Sequence, residues 1–139
     1  MTKLIHCCQA LAIVAASLVG SAAFAAQMSQ AEYAAKKDQI SAEYKADKAA
    51  CDKFDGNNKD VCVEKAKGKE KVAKAELEFN YTGKESDSAK IAVAKADADY
   101  DVAKEMCDDK KGNDKDVCVK DAKAMHAKAL ADAKAAKKS

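Results

Sequence analysis

The chain has 139 residues, of which 48% are hydrophobic, 25 are basic and 23 are acidic, giving a formal net charge of +2. Every basic residue is a lysine. Arginine, which best forms paired hydrogen bonds with phosphate and guanine, is absent. The balanced charge and the missing arginine count against nucleic-acid recognition, so we expect no nucleic-acid partner.

Residues 1–25 are predicted to form a secretory signal peptide. Lys3 precedes an apolar run from Leu11 to Val19, and small residues close the segment at Ala25. The run is shorter than the roughly 20 residues that a spanning helix requires, which makes an uncleaved anchor the less favoured alternative. We expect cleavage after Ala25, a periplasmic mature protein, and no membrane span once the signal is removed.

Four cysteines remain after cleavage, because Cys7 and Cys8 leave with the signal (6 − 2 = 4). An even set of cysteines in a small exported chain indicates structural disulfides formed in an oxidising compartment. Large apolar side chains are few, since alanine supplies much of the hydrophobic content. A core this thin requires covalent staples.

An all-α fold is predicted, because Ala, Lys, Glu and Asp dominate the chain and proline is absent. The break between the second and third helices is a cluster of turn-forming residues at 80–86, predicted as a linker. The four expected helices span 29–54, 58–79, 87–110 and 114–137.

A twelve-residue segment that begins and ends with cysteine occurs twice, as Cys51–Cys62 and Cys107–Cys118, at an offset of 107 − 51 = 56 residues. Similarity between the halves extends beyond the cysteines, since Tyr44 matches Tyr100. Duplication of one helical hairpin explains this pattern. The mature domain, 26–139, is therefore predicted to contain two repeats, 29–79 and 87–137. We expect their four helices to pack as a loose bundle or the two hairpins to lie end to end.

Each cysteine segment is predicted to be the tip of a hairpin stapled by a disulfide. Gly56 and Gly112 suit a left-handed residue after a helix, and Asn57 and Asn113 suit the N-cap of the next helix. Cysteines on either side of such a turn face each other at disulfide distance. The expected bonds are Cys51–Cys62 and Cys107–Cys118, each stabilising the fold by about 3 kcal/mol.

The alternative is a continuous helix through each tip. The two cysteines would then lie about 16 Å apart along one face and would pair crosswise, Cys51 with Cys118 and Cys62 with Cys107. This arrangement resembles the twin-cysteine coiled-coil-helix modules. A helix through Asp55-Gly56-Asn57-Asn58 would cost about 3 kcal/mol in helix propensity, which favours the hairpin.

The tips are rich in carboxylates, which raises the alternative of a cation- or metal-buffering protein. An EF-hand register fails, because cysteines would stand at positions one and twelve, where oxygen ligands are required. His126 is the only histidine after cleavage, and disulfide formation would remove the cysteines as zinc ligands. We expect no metal site, no cofactor and no catalytic residues, since no nucleophile elbow, Cys/His pair or phosphate-binding loop occurs.

Partner binding is expected at apolar side chains on two of the helices. With a core this small, the helices should open readily and expose these residues to a partner helix or an unfolded envelope client. The candidate partner-binding residues are Tyr33, Ile40, Tyr44, Val93 and Tyr100.

The duplicated Gly-Asn-x-Lys-Asp-Val-Cys block, the Ala/Lys/Asp-rich helices and the exported N-terminus resemble a group of small proteobacterial envelope proteins often labelled TolA-like or cell-envelope biogenesis proteins. The chain lacks the long uninterrupted helical spacer of TolA. The resemblance implies a location in the envelope more than a task. Together with the residues above, it leads us to expect a non-enzymatic periplasmic binding, structural or stress-protection protein whose partner is a client protein or an envelope component.

Overall fold

The computed structural model describes residues 28–136, which form an all-α fold. The predicted signal peptide and Lys137 lie outside the described residues. Among the helices described, none is long and apolar enough to cross a membrane. A short 3₁₀ turn, Cys51–Lys53, follows the first helix. The helices are α1 (Gln30–Ala50), α2 (Gly56–Thr82), α3 (Glu85–Cys107) and α4 (Gly112–Ala136).

Two disulfides close the hairpins as predicted. Cys51 is bonded to Cys62 across a Cα–Cα distance of 5.6 Å, and Cys107 to Cys118 across 5.7 Å. Cys51 and Cys107 are fully buried, so each staple also belongs to the core. The prediction of two disulfide-stapled helical hairpins is confirmed, and crosswise pairing does not occur.

The tip glycines lie in the left-handed region, as predicted: φ is +55° at Gly56 and +52° at Gly112. Their predicted place directly after the preceding helix is wrong, since each glycine is the first residue of the next helix. The predicted N-cap role of Asn57 and Asn113 is wrong. Both asparagines lie inside the first turn of their helices, and α2 is preceded by Asp55 in extended conformation. The reason is that each helix already begins at the glycine, one residue before the asparagine.

The turn between the two repeats is tighter than predicted. Helix α2 continues to Thr82 and α3 begins at Glu85, so most of the expected linker 80–86 is helical. The Thr82 hydroxyl donates a hydrogen bond to Asp87 and accepts one from the Lys84 amide. Asp87 is only 3% exposed and forms an ion pair of 2.7 Å with Lys90. Hydrogen bonds from Lys90 and then Thr82 lower the pKa of this carboxyl.

The helices pack as an antiparallel row in chain order. The contact between α2 and α3 is the most extensive, while α1 packs on α2 and α4 on α3. Non-neighbouring helices do not approach within 8 Å of one another, Cα to Cα, in the part of the chain that is described. The hairpins therefore lie side by side in one layer, not end to end, and within the described residues α1 and α4 are not in contact as they would be in a closed four-helix bundle. Because successive helices alternate in direction, α1 and α3 run the same way. Both disulfide tips therefore lie at the same edge of the row, beyond the C-terminal ends of α1 and α3.

Small residues make up most of the core. The largest buried aliphatic side chain is Leu77, and the α2–α3 contact includes a close approach of Gly68 to Ala98. Residues one repeat apart are buried alike, as with Ala66 and Ala122. The buried hydrophobic residues are Cys51, Ala66, Leu77, Ala94, Ala96, Cys107, Ala122 and Ala133.

Candidate functional site

The three predicted partner-binding residues of the first repeat lie at the contact between α1 and α2. Tyr33 is half-buried, donates a hydrogen bond of 2.9 Å to Glu78, and packs its ring 4.5 Å from that of Tyr81. The bond to the Glu78 carboxylate raises the pKa of Tyr33. Ile40 and Tyr44 are half-buried and line a narrow crevice between the two helices. All three side chains therefore contribute to the packing of the first hairpin.

The two predicted residues of the second repeat lie apart from each other. Tyr100 stacks on the His126 ring at a centroid distance of 4.8 Å, and Nε2 of His126 is 2.7 Å from the Asp97 carboxylate. Val93 is exposed in a groove that also contains Lys90 and other lysines. The five predicted residues thus do not form one surface. The partner-binding role given to them stays a prediction.

A groove of about 720 Å³ runs between α2 and α3. Its floor is apolar and includes Val72, Ala98 and Val102. Lysines stand on its border, among them Lys65 on α2. Such an open groove, with an apolar floor and a charged border, is typical of a surface that accepts another helix.

A second groove, of about 640 Å³, runs between α3 and α4. Ala103 lines both grooves, so they open on the same side of the molecule. Three large apolar side chains are exposed here: Met106 by 55%, Val117 by 47% and Met125 by 63%. We call the surface formed by Val102, Ala103, Met106, Val117 and Met125 the methionine face.

At two positions of the methionine face, the equivalent residues of the first repeat form an ion pair. Lys69 and Asp47 lie 2.8 Å apart, Nζ to carboxylate oxygen. The residues 56 positions later are Met125 and Ala103. One hairpin is therefore polar, and the other apolar, at the same place on the same scaffold. Sequence reasoning missed this surface, although a position-by-position comparison of the two repeats would have found it.

The acidic tips have internal partners for some of their carboxylates. Asp52 pairs with Lys59, and Asp108 with Lys115, each at 2.8 Å. Hydrogen bonds from these lysines lower the pKa of both carboxyl groups. Within residues 28–136, no group of three or more His, Cys, Asp and Glu side chains is placed to hold a metal ion. Asp52 and Asp108 are therefore already engaged in ion pairs within their own tips.

Comparison with protein-family models, curated proteins and solved structures finds no match to this chain.

Proposed function

We propose that this chain is a non-enzymatic helical protein of the periplasm that acts in the cell envelope by binding other protein surfaces, in a structural or stress-protection role. This proposal rests on the methionine face. Exposed apolar side chains that lie together on a soluble helix row mark protein interaction sites. Methionine suits such a surface, because its flexible thioether adapts to partners of different shape.

The contrast between the repeats supports the assignment. The Asp47–Lys69 ion pair shows that this scaffold folds with charged residues at these positions, so packing does not require Ala103 and Met125 there. An exposed apolar side chain that packing does not require favours a role in binding. The two disulfides and the predicted signal peptide support an exported protein. The resemblance to TolA-like envelope proteins supports the same location, and we propose membership of that group.

The proposal is tested by photo-crosslinking in intact cells. A photoreactive amino acid replaces Met125 in one strain and, in a matched control, the exposed Lys123 on the opposite side of the same helix. We expect a defined crosslinked product from position 125 only. This product should disappear when the same strain also carries Ala103→Asp and Val117→Lys, which make the methionine face charged. Equal products from both positions, or none from position 125, would remove the basis for a binding function.

A functional assay accompanies the crosslinking. The purified, oxidised protein is expected to suppress aggregation of a reduced or acid-stressed periplasmic protein. The Ala103→Asp/Met125→Lys variant, which copies the ion pair of the first repeat, should lose this effect while keeping its helical content. A variant that protects the client as well as the wild type does would contradict a role for the methionine face in stress protection.

Cation buffering at the acidic tips is the alternative function. Calorimetric titration with calcium, zinc and copper separates the two proposals. We expect no micromolar binding at the tips, because Asp52 and Asp108 are already paired with lysines. Micromolar binding at two equivalent sites would instead favour the buffering function.

A further inference from the structure

We propose that the methionine face binds a second copy of this chain and forms a two-fold symmetric dimer. The inference rests on the proposed function, that this face binds protein, and names its partner. It is carried by the charges that border the face, which differ in sign between its two sides.

On α2 the groove lining carries Lys65 and Lys69 against Glu76, and on α4 it carries only carboxylates. Lys110 and Lys111 line the second groove from the tip that precedes α4. Lys65 lines the groove between α2 and α3, and Asp121 lines the groove between α3 and α4. Asp114 adds a second carboxylate on the α4 side. In the described part of the chain, no oppositely charged group lies within ion-pair distance of Lys65 or Asp121. Each charge is thus available to an external partner.

Lys65 and Asp121 occupy equivalent positions of the two repeats, since 121 − 65 = 56. Both hairpin tips are at the same edge of the row. The two residues therefore lie at the same distance from the tips along the helix axes, on either side of α3. A two-fold axis that runs parallel to α3, between the two copies, keeps the position of each residue along the helices. It exchanges the α2 side of one copy with the α4 side of the other. It therefore places Lys65 of each copy opposite Asp121 of the other, with the two methionine faces in contact between them.

The side of α2, α3 and α4 that carries the methionine face is large enough for a stable contact. Three neighbouring helices, each about 10 Å wide and about 34 Å long, present about 1,000 Å². A stable protein interface needs roughly 800 Å² from each partner. An isologous contact of this kind closes on itself and produces a dimer, not a filament. The interface would combine the apolar methionine face with charged residues beside it, among them Lys95 and Asp99 of α3.

Sedimentation equilibrium of the purified, oxidised full mature chain tests the dimer. We expect a monomer–dimer equilibrium for the wild type and a monomer for Ala103→Asp/Met125→Lys. The first repeat already contains this ion pair in the same scaffold, so the variant should fold, which circular dichroism verifies. A control substitution on the opposite side of the row, Lys134→Gln, should leave the dimer unchanged. A monomeric wild type at millimolar concentration would overturn the proposal.

Charge reversal tests the predicted orientation. Lys65→Asp and Asp121→Lys should each weaken the dimer by about tenfold, because each creates like-charge contacts at both ends of the interface. The double variant Lys65→Asp/Asp121→Lys should recover the wild-type association, since every pair is then restored with its signs exchanged. Single variants that associate as the wild type does, or a double variant weaker than both singles, would contradict this orientation.

The result also separates this inference from the proposed function. If the purified protein stays monomeric while position 125 crosslinks to a different envelope protein in cells, the dimer is wrong and the binding function stands. If neither association nor crosslinking occurs, both proposals fail.

Discussion

Gly68 on α2 and Ala98 on α3 mark a close approach of the two repeats: a Cβ atom added to Gly68 would lie 2.8 Å from the Cβ of Ala98. That separation is well inside van der Waals contact. Gly68 is buried in the middle of a helix, where glycine is otherwise unfavourable. Its presence is explained by the close packing it permits between α2 and α3.

Gly68→Ala should therefore destabilise the protein. Helix propensity alone would favour alanine by about 1 kcal/mol, but the overpacked contact should cost roughly 1–3 kcal/mol, so we expect a net loss of up to about 2 kcal/mol. Urea unfolding measures the difference. The equivalent position in the second repeat is the exposed Ala124, and Ala124→Gly serves as the matched test of propensity alone. A higher stability of Gly68→Ala would show that α2 and α3 do not pack this closely.

Loss of either disulfide should lower the free energy of unfolding by about 3 kcal/mol. The two bonds close loops of the same length, since both have a sequence separation of 11. Cys51→Ser/Cys62→Ser and Cys107→Ser/Cys118→Ser should thus have similar effects in thermal unfolding. Non-reducing tryptic mapping of the wild type should recover both bonds within their repeats. Crosslinked peptides that join the two repeats would contradict the structure.

Because of Asp87, the free energy of unfolding should fall when the pH becomes acidic. Its pKa is lowered from the ordinary value of 3.8, mainly by the hydrogen bond from Lys90. Because the folded state holds the carboxyl below its unfolded pKa, its stabilisation is present above pH 3.8 and is lost as the pH falls through the lowered pKa. Urea unfolding of Asp87→Asn should therefore differ more from the wild type at pH 6 than at pH 3.

The exposed Asp99 provides the control for loss of a carboxylate, since Asp99→Asn should change the free energy of unfolding at pH 6 less than Asp87→Asn does. Thr82→Ala should reproduce part of the effect of Asp87→Asn, and Thr82→Ser should restore it by keeping the hydroxyl donor. An Asp87→Asn difference that is constant with pH would exclude this carboxyl as the origin.

His126 and Asp97 should be energetically coupled. They lie 2.7 Å apart across α3 and α4, and Tyr100 stacks on the imidazole ring. A double-mutant cycle of His126→Ala and Asp97→Ala should give a coupling of about 1 kcal/mol. The same cycle between His126 and the exposed Lys128 should give none. Additive effects at His126 and Asp97 would show that the hydrogen bond does not stabilise the second hairpin.

Local chemistry explains what the sequence determined by itself. Helix propensity predicts four helices, and a Gly-Asn pair between two cysteines predicts a stapled tip, because both depend on residues near one another in the chain. The start of α1 is determined in the same way, since Ser29 and Glu32 exchange capping hydrogen bonds. The helix boundaries at 80–86 were missed because the bond between Thr82 and Asp87 holds the turn within two residues.

Only the tertiary structure decided how the hairpins lie together and which side chains remain exposed. Small-residue contacts such as Gly68 against Ala98 leave almost no pattern in hydrophobicity, so the side-by-side row could not be predicted from periodicity. For the same reason Tyr33 and Tyr44, expected to face a partner, pack within the first hairpin, whereas Met106 and Met125 remain exposed. Interhelical packing is non-directional and depends on the shapes of all the surfaces at once, which the order of residues along one helix does not specify.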